Sequence, residues 1–170
     1  MLQSGNTVPN FSQQSSQGQI DFYDWAGDSW VVFFSYRADY TPVCTSELGS
    51  VAKLKPEFDK RGVKVIALSV NDREDRQDSI DDINQTQDTT VNYPIVADAD
   101  KSVSALYGII NSNANIKVIV RTILVIDPQK KVRLTITDPP SMEGDFQETC
   151  TERDFQDILR VIDSLRSTDC

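Results

Sequence analysis

Two continuous apolar runs predict strands that are buried on both faces. The first is Trp30 to Ser35 (WVVFFS) and the second is Val63 to Val70 (VKVIALSV). A strand with one exposed face alternates between apolar and polar residues, so an unbroken run indicates cover on both sides. The two runs therefore predict interior strands of an α/β sheet.

A helix is predicted between these two runs. Thr41 suits the N-cap and Pro42 the first helical position, while Gly62 supplies a stop. Pro56 should kink this helix or start a new segment. Apolar residues recur at helical spacing at Leu48, Val51, Ala52 and Phe58.

Shorter elements complete the predicted order. They are a polar helix over 73–84, a short strand over 92–96, a short helix over 102–107, a β-hairpin of 121–126 and 132–137 around a turn, a loop over 138–152 and an amphipathic helix from 155. Two strand–helix units, a hairpin and a helix fit a small α/β sandwich with a mixed central sheet flanked by helices, such as a thioredoxin-like fold. At 170 residues and 19.1 kDa, we expect one domain over residues 1–170.

Composition narrows the classes of function. The net charge of −9 repels phosphate backbones and anionic lipid headgroups, so we expect neither nucleic acid nor membrane as a partner. No apolar run approaches the roughly 20 residues of a membrane span. The N-terminal sequence has no basic region followed by an apolar one, so no secretory signal is predicted.

Cysteine and histidine usage narrows the chemistry further. The cysteines stand at 44, 150 and 170, without a Cys-x-x-Cys pair, and the chain has no histidine. This pattern argues against a thioredoxin-type dithiol, Cys-His or Ser-His hydrolases and most zinc sites. We therefore expect no cofactor and no metal, and reduced thiols in a reducing, cytoplasmic compartment.

Cys44 is the candidate nucleophile. It lies in the first turn of the predicted helix, where unpaired backbone N–H groups and the positive helix end favour thiolate over thiol. Thiolate is the form that attacks an O–O bond and becomes a sulfenic acid. Position alone leaves a second interpretation open, in which Cys44 is a small buried apolar residue.

The residues around Cys44 resemble the active-site segment of peroxiredoxins (AhpC/TSA-like), especially the one-cysteine class. That segment is ADYTPVCTSELG, and four later segments resemble the same class in matching order: LKPEFDKRGVKVIALSVNDRED, NYPIVADADKSVSALYG, VRTILVIDPQKKVRLTIT and FQDILRVIDSL. The resemblance covers about Gly5 to Leu165. It implies a thioredoxin-like fold with an N-terminal extension, and a thiol-dependent peroxidase that reduces hydrogen peroxide and alkyl hydroperoxides.

The resemblance also implies roles for individual residues. Cys44 matches the peroxidatic cysteine, and Thr41 matches a threonine whose hydroxyl contacts the cysteine and the peroxide. Arg121 matches an arginine that holds the thiolate, and a fixed cation there lowers the thiol pKa. Glu47 and Arg153 match a pair that orients this arginine, although a surface ion pair is an alternative for them.

Several positions depart from the family pattern. Arg37 stands where the family has a proline that shields the cysteine, and Tyr36 stands where the one-cysteine class usually has a histidine. The loop from Asp138 to Cys150 is longer than the family's turn. The chain ends at Cys170, where relatives continue into a C-terminal arm, so we expect a domain that lacks this arm.

The expected partners are a peroxide substrate, an external thiol reductant (a small thiol or a thioredoxin-like protein) and a second copy of the chain. The resemblance implies a homodimer in which residues 132–137 pair edge to edge. Cys150 and Cys170 remain open as resolving cysteines. Two other functions stay open: a catalytically weak relative that acts as a redox sensor or holdase-type interaction protein, and a thiol-disulfide oxidoreductase.

Overall fold

The computed structural model describes residues 4–35, 42–69, 93–98, 102–108, 110–113, 116–119, 122–137 and 155–168. In chain order its elements are β1 (Ser12–Ser15), β2 (Gly18–Asp21), α1 (Phe22–Ala26), β3 (Trp30–Ser35), α2 (Pro42–Lys60), β4 (Val63–Ser69), β5 (Ile95–Ala97), α3 (Ser102–Leu106), β6 (Ile110–Asn113), β7 (Ile116–Ile119), β8 (Thr122–Ile126), β9 (Val132–Thr137) and α4 (Phe155–Thr168). Within these residues, no helix is long and apolar enough to cross a membrane.

The two apolar runs form neighbouring parallel strands at the centre of the sheet. β3 pairs with β4 from Trp30 opposite Val63 to Ser35 opposite Leu68. Among the described residues the sheet has seven strands in the order β2-β1-β5-β4-β3-β8-β9. The contacts of β4 with β3 and β5 are parallel and the others are antiparallel. The predicted mixed sheet and the β8–β9 hairpin are therefore confirmed.

Both faces of the central strands are covered. On one face α2 and α4 bury Trp30, Val32 and Phe34. On the other face the N-terminal segment, α1 and α3 bury Val31 and Phe33. All six residues of β3 are buried, as the unbroken apolar run predicts.

The structure corrects several element predictions. α2 runs through Pro56, so the alternative of a new segment there is wrong; the proline ring is exposed on the helix surface. The predicted strand over 92–96 is shorter and lies at Ile95–Ala97. Gly62 follows the end of α2 in the left-handed conformation expected for a helix stop, with φ of 66°. The predicted helix 73–84 and loop 138–152 lie outside the described residues.

Five elements of the structure are not predicted: β1, β2, α1, β6 and β7. The N-terminal hairpin of β1 and β2 is polar and short, with SQQS opposite GQID, and so carries no apolar alternation. The short helix α1 follows it directly and buries Phe22 and Ala26. β6 and β7 form a separate two-stranded sheet. These elements depend on pairing and docking rather than on a local periodic pattern.

Candidate active site

Cys44 lies in the first turn of α2. The helix begins at Pro42, which confirms the predicted start, and Cys44 is its third residue. The first amides of a helix lack intrahelical acceptors and carry the positive end of the dipole. A cysteine at this position is therefore in an environment that stabilises a thiolate.

The last residue of β3 and the first residue of β8 lie side by side, at the end of β3 from which the chain continues to α2. β3 ends at Ser35, with six residues between it and the helix, and the antiparallel strand β8 begins beside it at Thr122. The backbone N–H of Thr122 donates to the Oγ of Ser35 at 3.0 Å, and both residues are fully buried. Arg121 is the residue immediately before this anchored amide in the sequence.

The start of α4 packs at the same end of the sheet. The Phe155 ring lies edge-to-face on Phe34 with ring centroids 5.1 Å apart, and Phe34 is the neighbour of Ser35 in β3. Arg153 precedes Phe155 by two residues, a separation that an extended chain spans in about 7 Å. The described residues that follow Arg121 and Arg153, Thr122 and Phe155, therefore both contact the end of β3.

The structure describes the predicted site only in part. It places Cys44 and Glu47 in α2 through their backbone. The other predicted site residues, Thr41, Arg121 and Arg153, lie outside the described residues, as do Tyr36, Arg37, Cys150 and Cys170. The side-chain constellation that the resemblance implies remains a prediction, whereas the contacts of Thr122 with Ser35 and of Phe155 with Phe34 are observed.

A fork of hydrogen bonds ties the far end of α2 to α4. Arg61 donates from Nε and Nη2 to the two carboxylate oxygens of Asp163, at 2.8 and 3.0 Å. The Asp163 carboxylate raises the pKa of Arg61, and hydrogen bonding from Lys60 and Arg61 lowers the pKa of Glu57. All these groups are solvent-accessible, so their ion pairs contribute little to the free energy of unfolding. Their role is to align the end of α2 with α4.

Sequence reasoning did not single out Ser35. Its only signal is a hydroxyl at the end of an otherwise apolar run, just before the segment that leads to Cys44. Within the described part of the chain, no cluster of three or more cysteine, aspartate or glutamate side chains is placed to hold a metal ion.

Known proteins resemble this chain in both sequence and structure. The profile of the AhpC/TSA family matches residues 4–135. A 1-Cys peroxiredoxin of Dictyostelium discoideum is 47% identical over 99% of this chain, and the chain spans 66% of that protein's length. Peroxiredoxin-6 of Mus musculus is 40% identical, with 96% of this chain and 73% of the relative covered.

Among solved structures, a yeast mitochondrial 1-Cys peroxiredoxin superimposes with a TM-score of 0.88. It is 44% identical, and the match covers 99% of this chain and 78% of the yeast chain. That protein's thiol is resolved via the glutathione and thioredoxin systems. The superposition confirms the expected thioredoxin-like fold.

Proposed function

The chain belongs to the AhpC/TSA family, and from this membership we propose that it is a thiol-dependent peroxidase with Cys44 as the attacking residue. Its substrates are hydrogen peroxide and alkyl hydroperoxides. The observation that carries the proposal is the position of Cys44 in the first turn of α2, the helix that follows β3 in the chain. A helix start favours the thiolate, which is the nucleophilic form of the residue.

The proposed reaction has two stages. The Cys44 thiolate attacks one peroxide oxygen, so an S–O bond forms as the O–O bond breaks, and the departing oxygen takes a proton to leave as water or alcohol. The cysteine is oxidised to sulfenic acid. A reductant thiol then displaces hydroxide from the sulfenic sulfur as water, and a second thiol breaks the resulting mixed disulfide.

Four further residues are proposed to assist the attack. Thr41 contacts the cysteine and the peroxide through its hydroxyl, and Arg121 stabilises the thiolate and the charge that develops on the departing oxygen. Glu47 and Arg153 orient Arg121. The last three would meet at the start of α2, because Glu47 is in that helix and the others are next to the anchored ends of β8 and α4.

Single-turnover consumption of hydrogen peroxide tests the proposal. The wild type should react far faster than a free thiol at the same pH, and Cys44→Ser should lose the reaction, because a neutral hydroxyl without a base is a poor nucleophile. The matched control, Cys150→Ser with Cys170→Ser, should keep the fast phase. A wild type no faster than a free thiol would favour the alternative, a weakly catalytic redox sensor or holdase, to which the Arg37 substitution points.

We propose an external thiol as the reductant, by analogy with the glutathione and thioredoxin systems of the yeast relative. The protein should therefore form no internal disulfide after one equivalent of peroxide. Non-reducing gels of the wild type, Cys150→Ser and Cys170→Ser check this. A cross-link that disappears in one of the two variants would identify that cysteine as the resolving residue and contradict the one-cysteine proposal.

We also propose that the protein forms a homodimer through β9 and that it works in a reducing, cytoplasmic compartment. β9 is the last strand at one end of the described sheet, and its Ile136 side chain is 37% exposed. The N-terminal segment bonds the start of β9, where Gly5 donates to the Val132 carbonyl and the Val132 N–H donates to Asn6. Pairing with a second copy would therefore use the later part of the strand, around Ile136. Sedimentation should show a dimer for the wild type and a monomer for Ile136→Lys; a monomeric wild type would contradict this assembly.

A further inference from the structure

We propose that Ser35 is a positioning residue for Arg121: its buried hydroxyl holds the peptide group through which Arg121 joins β8. The proposal rests on the proposed function, since it concerns the arginine that stabilises the Cys44 thiolate. Ser35 itself is not proposed to touch the peroxide. It acts on the reaction by fixing the start of β8, next to Arg121 in the sequence.

A side-chain hydrogen bond joins β3 to β8 where β3 ends. β3 and β8 are antiparallel, and their register runs from Val31 opposite Ile126 to Phe34 opposite Ile123. One step further, the Thr122 N–H donates to the Ser35 Oγ at 3.0 Å, with both residues fully buried. A bond of this kind in a water-free setting is expensive to lose, because the amide then has no solvent to replace the oxygen.

The bonded amide belongs to the peptide group between Arg121 and Thr122. A peptide group is planar, so its N–H, its carbonyl and the two Cα atoms move together. An acceptor that fixes the direction of the Thr122 N–H therefore also fixes the plane that carries the Arg121 Cα. Loss of the acceptor removes one constraint on this plane, beside the pairing of Thr122 with Thr137 in β9. A long side chain amplifies even a small rotation into a displacement of its guanidinium.

The chemistry of the position supports a specific role for the hydroxyl. Ser35 follows Phe33 and Phe34, both fully buried, and Thr122 precedes the buried Ile123 and Leu124. An apolar residue at 35 would suit these surroundings in packing terms, whereas a buried hydroxyl is costly unless it is hydrogen-bonded. Ser35 is also the last described residue before the segment that leads to Cys44, so the bond joins the two strands beside the proposed site.

The test is a double-mutant cycle on the rate of peroxide attack. Ser35→Ala should slow the single-turnover reaction by about 10- to 100-fold, the range expected when a catalytic group is displaced by about 1 Å. In the Arg121→Ala background the same change should alter the rate by less than about twofold, because the residue that it positions is gone. The pH profile of thiol alkylation should show a higher Cys44 pKa in Ser35→Ala.

Ser15→Ala is the matched control. Ser15 is also fully buried, its Oγ accepts the Gln17 N–H at 3.1 Å and donates to the Gly18 carbonyl, and it lies in the N-terminal hairpin. This variant should lose stability in the same way and keep the peroxide rate. If Ser35→Ala folds too poorly for kinetics, Ser35→Thr and Ser35→Val replace it, since the two have similar volume and only threonine keeps the oxygen.

Three results would overturn the positioning role. They are an unchanged rate in Ser35→Ala, an equal loss in both Arg121 backgrounds, and equal rates for the threonine and valine variants. A slow wild type would be a different failure, because it would reject the peroxidase function itself. A fast wild type with an insensitive Ser35→Ala would reject only the role of Ser35.

Discussion

The contact between Phe155 and Phe34 should couple the stability of the fold to the peroxide reaction. Phe155 is the first residue of α4, is 2% exposed and lies edge-to-face on Phe34. In Phe155→Leu, the carbons lost from the core are worth about 2.4 kcal/mol at about 0.8 kcal/mol per buried methylene. The lost aromatic pair adds about 0.5–1.5 kcal/mol. Urea unfolding should therefore show a loss of about 2–4 kcal/mol.

Phe58→Leu is the control that separates stability from reactivity. Phe58 is fully buried in the same hydrophobic cluster but lies fourteen residues after Cys44 in α2, about 21 Å along a helix at about 1.5 Å per residue. The two variants should lose comparable stability. Only Phe155→Leu should slow peroxide consumption, because Arg153 is next to the displaced helix start.

Equal peroxide rates in the two variants, with both proteins folded, would contradict a coupling between this contact and the reaction. The start of α4 would then have no influence on the reaction, and Arg153 would be the surface ion-pairing residue that the sequence also allows. A slower reaction in Phe58→Leu alone would likewise contradict it.

Two further predictions concern buried polar groups. In Asp98→Asn, urea unfolding should show a loss of about 2–4 kcal/mol. The reason is that the fully buried Asp98 carboxylate accepts hydrogen bonds from the N–H groups of Val103 and Ser104 and from the Ser104 hydroxyl. A loss below about 0.5 kcal/mol would show that these hydrogen bonds are dispensable. Burial raises the pKa of Tyr107, whose hydroxyl donates to the Pro9 carbonyl at 2.8 Å. The buried, protonated hydroxyl contributes fully to the free energy of unfolding below the ordinary tyrosine pKa of 10.0. This contribution is lost as the pH rises above that value, because the unfolded chain then releases the proton. Stability should thus decline above that pH less steeply in Tyr107→Phe than in the wild type, and parallel declines would contradict the assignment.

The sequence predicts the elements whose signals are local. The apolar run of β3 and the Pro42 start of α2 both lie where the pattern puts them, and together they place Cys44. Buried strands and capped helices carry their signals in consecutive residues. The polar hairpin of β1 and β2 carries none, because its strands are defined by pairing with each other and with β5.

The candidate site is less accessible to such reasoning. The bond from Thr122 to Ser35 joins residues 87 positions apart, and no periodicity within either strand announces it. Thr41, Arg121 and Arg153 were identified from the family resemblance, since a lone threonine or arginine has no pattern that distinguishes a catalytic role from a surface one. Strand order, which brings β8 beside β3, is the physical information that the local pattern lacks.

Peptide mass spectrometry after one equivalent of hydrogen peroxide, with a reagent that traps sulfenic acid, shows which cysteine attacks the peroxide. All three cysteines, Cys44, Cys150 and Cys170, are present in the same sample and compete for the same oxidant. The trapped sulfenic acid should be found on Cys44, because only this thiol lies in the first turn of a helix among the described residues. Oxidation spread evenly over the three cysteines, or centred on Cys150 or Cys170, would contradict it.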